Sequence, residues 1–123
     1  KHIIEMKGDM TMPANMLTEI LSILRSHLDQ IIGADLVEMI LYGSFARGDF
    51  DEESDIDIAV IVNIDRAELK KYQKDIVSVI SEMSLDYDTL ISINYISLSD
   101  FEEYKSVLPY YKNIDREGVR VVA

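Results

Sequence analysis

Along this chain the apolar residues switch between a helical and a strand-like rhythm, and the switches mark the elements. Met16, Leu17, Ile20, Leu21, Leu24, Leu28, Ile31 and Ile32 recur at the spacing that lines up side chains on one helix face. Pro13 suits the first turn of that helix, where its missing N–H is no loss, and Gly33 suits its end. Leu36 to Tyr42 (LVEMILY) then reads as a strand. Gly43 to Ser54 is turn and loop, with room for one helical turn after Ser44. Ile56 to Val62 (IDIAVIV) is almost continuously apolar, which predicts a strand in the middle of a sheet.

The second half repeats the alternation. Asp65 with Glu68 three residues on forms a capping-box-like helix start. Leu69, Tyr72, Ile76, Val79, Ile80 and Met83 supply the stripe of the helix that follows. Tyr87 to Ile96 (YDTLISINYI), rich in β-branched and aromatic residues, predicts a third strand. Ser99 and Glu102 repeat the cap signature before a short helix that Pro109 breaks. Tyr110 to Glu117 reads as another, and Gly118 ends it ahead of VRVV, an edge strand. The order α-β-β-α-β-α with a final β predicts an α/β (α+β) fold, a small mixed sheet with helices mainly on one face.

With 123 residues and neither repeat nor linker, residues 1–123 read as one domain. The absence of cysteine removes disulfides, thiolate nucleophiles and zinc–thiolate sites, and suits a cytoplasmic setting. The net charge of −11 disfavours broad binding to nucleic acid or anionic membranes and favours divalent cations or a basic protein partner. No apolar run approaches the roughly 20 residues of a spanning helix. The opening KHIIEMKGDM has neither the apolar core nor the cleavage site of a signal peptide.

Candidate chemistry concentrates in GSFARGDFDEESDIDIAV, Gly43 to Val60. Alternation along a strand puts Asp55 and Asp57 on one face, with Ile56 and Ile58 on the other. Two carboxylates aimed the same way repel each other unless a cation lies between them. Oxygen-only ligation suits a hard ion such as Mg²⁺, which completes its shell with water and phosphate oxygens. Taken alone, such a pair is more often solvated than liganded. The preceding loop adds an anion-holding end: Gly43 lets backbone approach closely, Ser44 offers a hydroxyl, and Arg47 a forked cation. A phosphate group could then lie between loop and metal.

The other polar residues read more plainly. Asp49, Asp51, Glu52 and Glu53 read as solvated loop charges. His2 and His27 are too far apart for a zinc site. Tyr104, Tyr110 and Tyr111 cluster around Pro109 and serve either the core or a partner-binding patch.

Gly43-Ser44, ten residues, then Asp55-x-Asp57, with an apolar strand on each side, resembles the nucleotidyltransferase superfamily of DNA polymerase beta, kanamycin nucleotidyltransferase and the CCA-adding enzymes. The short length and the loop style resemble the minimal nucleotidyltransferase domains, many of them antitoxins of HEPN ribonuclease toxins. That resemblance implies two Mg²⁺ ions, ATP as substrate and transfer of AMP to a hydroxyl with release of pyrophosphate. It casts Asp55 and Asp57 as ligands of both ions, and Gly43, Ser44 and Arg47 as the nucleotide-binding loop. It also implies a third carboxylate on a neighbouring strand, holding the metal nearer the acceptor and acting as general base. Asp88 is the choice for it, since it falls inside the predicted third strand, with Asp86 as the fallback.

In the antitoxin reading the acceptor is a tyrosine of a HEPN-type toxin. The alternatives are a small-molecule hydroxyl such as that of an aminoglycoside, or a catalytically idle module that neutralises its partner by contact.

Overall fold

A computed structural model describes residues 14–122; Pro13 and His2 lie outside that range. Helix α1 (Ala14–Ile32) leads through one 3-10 turn into strand β1 (Leu36–Tyr42). A single helical turn, α2 (Ser44–Arg47), and a loop connect it to β2 (Ile56–Val62). Then come α3 (Arg66–Tyr87), β3 (Ile91–Ser97), α4 (Leu98–Tyr104), α5 (Pro109–Glu117) and the two-residue β4 (Val119–Arg120). The strands form one mixed sheet in the order β3-β2-β1-β4. β1 runs antiparallel to both β2 and β4, while β2 and β3 are parallel and joined through α3.

Both faces of the sheet carry helices. The two long ones, α1 and α3, pack together on one face, where Leu17, Leu21, Leu24, Leu28, Ile76 and Met83 meet Met39, Leu41, Ile56, Ile58 and Val60. Ile40, Ala59, Ile61 and Ile96, which alternate with those strand residues, point the other way and are covered by Phe101 of α4 and Ile114 of α5.

Three local boundaries differ from the sequence expectation. Tyr87 is the last residue of α3 rather than the first of a strand, because it continues the stripe one turn beyond Met83 and packs into the α1–α3 core. α3 ends at Asp88, which adopts the left-handed conformation (φ 51°, ψ 47°). There the Asp88 N–H donates to the Leu85 carbonyl and the Thr89 N–H to the Ser84 carbonyl, the paired bonds of a Schellman cap. β3 therefore starts only at Ile91. Lastly, α4 is capped by Ser97, whose hydroxyl accepts from the Asp100 N–H, two residues before the expected Ser99.

Candidate active site

β1 delivers Tyr42 and β2 delivers Asp57 to adjacent positions of one antiparallel ladder, and the chain turns sharply at Gly43 immediately afterwards. Gly43 has φ 78° and ψ −155°, a conformation open to glycine. Its carbonyl accepts from the N–H groups of Ala46 and Arg47, closing the α2 turn. The turn is anchored from below: Phe45 is buried and stacks on Phe50 at 4.3 Å. A Cβ on Gly43 would lie 2.6 Å from Oδ2 of Asp57, so the glycine seats the backbone directly against the carboxylate.

Asp57 lies on the sheet face of Ala59 and Ile61, and Asp55 stands two residues before it, just outside β2, with its charge felt at Asp57. Burial pushes the Asp57 carboxyl above the usual aspartate range, the Asp55 charge pushes it further, and Arg47 pulls it back. Asp57 thus sits between a like charge that wants neutralising and a cation already within its field. Two hard oxygen donors in that condition fit a divalent cation with water and phosphate oxygens as its remaining ligands. Arg47 itself is half exposed, its Nε 3.3 Å from Asp49 Oδ2, so its guanidinium is available at the mouth of the turn.

Asp55, Asp57, Gly43, Ser44 and Arg47 are therefore brought together, whereas Asp88 is not placed as the sequence suggested. It is an exposed helix cap, and among the described residues no group of three His, Cys, Asp or Glu converges to hold a metal. On β3 the position opposite Asp57 is Ser92, and the next on the same face is Asn94, both neutral. Asp86 lies within α3 and is likewise exposed. Asp49, Asp51, Glu52 and Glu53 are exposed loop residues, as expected.

Sequence reasoning missed a hydroxyl network on the carboxylate face. The Tyr110 hydroxyl of α5 lies 3.1 Å from that of Tyr42, and the Asn94 side-chain amide donates to the same Tyr110 oxygen. The two rings meet edge to face at 6.1 Å. Burial, then the Tyr110 bond, drive the Tyr42 hydroxyl far above the usual tyrosine range, so Tyr42 stays a protonated donor. The available signal was Tyr42 standing next to Gly43. The tyrosine cluster itself is real: Tyr111 packs against both Tyr104 and Tyr110.

A separate crevice of about 650 Å³ opens at the carboxyl ends of the parallel strands, between Leu69 and Gln73 of α3 and Tyr111 of α5. It reaches Asn94 but none of Gly43, Ser44, Asp55 or Asp57.

The family of the nucleotidyltransferase domain matches residues 17–121, a span that runs from the first turn of α1 to the residue after β4. The chain belongs to that family. It is 42% identical over 76 residues to a protein of Methanocaldococcus jannaschii named "Putative protein adenylyltransferase MJ0141", covering 62% of this chain and 75% of that protein. A second protein of that organism, "Putative protein adenylyltransferase MJ0604", is 57% identical over 28 residues, 23% of this chain and 28% of its own. No helix among the described residues is long and apolar enough to cross a membrane.

Proposed function

We propose that this chain is a single minimal nucleotidyltransferase domain that transfers AMP from ATP to a hydroxyl of a protein, a cytoplasmic protein adenylyltransferase. The acceptor we infer is a tyrosine of a HEPN-type toxin, which makes the chain an antitoxin. The observation that carries the reading is the contact between the Gly43 turn and the Asp57 carboxylate, which supports a phosphate site at that turn beside a carboxyl whose charge burial and Asp55 disfavour. The names of the two relatives support the adenylyl group and the protein acceptor. The net charge of −11 favours a partner with a basic surface, as RNA-cleaving proteins commonly have.

Asp55 and Asp57 are the residues that would hold Mg²⁺, two ions in the reading that the family resemblance implies. Bound there, the metal would neutralise the triphosphate and the charge that develops on the attacking and leaving oxygens. The chain's own share is positional. The Gly43 backbone and Ser44 hold the terminal phosphates, and Arg47 adds charge at the turn. Tyr42, held protonated, offers a hydrogen bond on the acceptor side.

Labelled ATP, Mg²⁺ and a co-encoded small helical partner supply the test. Label carried on its α-phosphate is expected on a partner tyrosine, and none with Asp57→Asn. A stable complex with no transfer of label would overturn the enzymatic reading in favour of neutralisation by contact.

A further inference from the structure

The sheet face that carries Asp57 already holds a tyrosine hydroxyl beside it, and that hydroxyl belongs to this chain. Pro109 starts α5 and places Tyr110 in its first turn, over the second face of the sheet. The Tyr110 hydroxyl meets Tyr42, and Tyr42 is the ladder partner of Asp57. The Tyr110 oxygen is thus one hydrogen bond removed from the residue next to the metal-binding carboxylate. At 44% exposure, Tyr110 can be reached by a ligand seated on that face. The Asn94 N–H donates to its oxygen and the Tyr42 hydroxyl lies 3.1 Å away, able to turn its own proton toward it, so both could stabilise negative charge there as the Tyr110 proton leaves.

We propose that Tyr110 is an internal acceptor: without a partner, the site transfers a nucleoside monophosphate to its own Tyr110. The Tyr110 Oη forms a bond to the α-phosphorus of the nucleotide. The bond from that phosphorus to the bridging oxygen breaks, its electron pair leaves with pyrophosphate, and the phenolic proton passes to solvent. No oxidant or reductant is involved. The modified Tyr110 has no hydroxyl proton left to share with Tyr42, and it occupies the space a partner's hydroxyl would need, so self-modification and partner modification compete.

This inference rests on the nucleotidyl-transfer reading, and the experiment separates the two. The full chain is incubated alone with ATP and Mg²⁺, and its intact mass and peptide map are recorded, with Tyr110→Phe and Tyr111→Phe in parallel. One AMP on Tyr110 is expected in the wild type and in Tyr111→Phe, with none in Tyr110→Phe. Circular dichroism checks that the variants fold, and the wild-type map locates the group even where a variant does not. Modification of another residue, or an unmodified chain that still labels a partner, overturns the internal acceptor and leaves the transfer reading standing. A chain that neither labels itself, labels a partner nor binds ATP overturns both.

Discussion

Gly43 and Asp57 are in contact across the first ladder of the sheet: a single added carbon on the glycine would come within 2.6 Å of the carboxylate oxygen. That closeness joins the turn that would face phosphate to the group that would face metal. Gly43→Ala is opposed twice, by the backbone at φ 78° and by the Asp57 side chain it would displace. Strain of this kind costs on the order of 1–3 kcal/mol. The expected result is a lower melting temperature together with loss of ATP binding, measured by thermal unfolding and titration calorimetry. Unchanged ATP affinity would detach the turn from the nucleotide site.

Asp57 yields a prediction whose sign follows from its surroundings. Its folded pKa is raised above the ordinary 3.8, by burial first and Asp55 second, so the folded chain holds that proton more tightly than the unfolded chain. Stability from this group is therefore present at low pH and is lost as pH rises from about the ordinary aspartate value through the raised one. Without metal, Asp57→Asn should be at least as stable as the wild type near neutral pH, because it removes a poorly solvated charge beside Asp55. Added Mg²⁺ should raise the wild-type melting temperature and leave that of Asp57→Asn nearly unmoved. A variant that still gained the full Mg²⁺ increment would place the cation elsewhere.

Asp88 distinguishes a cap from a ligand. It holds the left-handed position of the α3 cap, where glycine is the usual occupant. Asp88→Gly should therefore be neutral or stabilising, by up to about 1 kcal/mol, and should leave transfer to a partner near the wild-type rate. A third metal ligand acting as general base would instead lose activity by orders of magnitude on this change. Single-turnover rates with the partner decide between them.

Asp88 also shows what the sequence could and could not convey. β1 and β2 were legible to the residue, since a bounded apolar run has few other uses, and the place of Asp57 on the face of Ala59 and Ile61 followed from alternation alone. The end of α3 was not, because Tyr87, Asp88 and Thr89 suit a strand locally, and only packing of Tyr87 against the α1–α3 core decides for helix. The Tyr42–Tyr110–Asn94 network was out of reach for a related reason. It joins β1, α5 and β3, and it exists only because α5 folds over the face opposite the long helices.

That placement of α5 depends on Gly118. A Cβ there would strike the Ile40 side chain and the Ile114 carbonyl, so the end of α5 is pressed against β1 with no space for a methyl group. The backbone at Gly118 is unremarkable (φ −73°), which makes the constraint one of volume alone. Gly118→Ala should force α5 off the sheet, loosening Ile114 from Ile40 and carrying Tyr110 away from Tyr42. Overpacking of this kind costs roughly 1–3 kcal/mol. If α5 sets the acceptor side of the site, the variant should keep ATP affinity, which rests on Gly43 and the aspartates, while transfer to a hydroxyl falls. Calorimetry and transfer assays on one preparation would show that split, and a parallel loss of both would mean that the sheet itself has been disturbed.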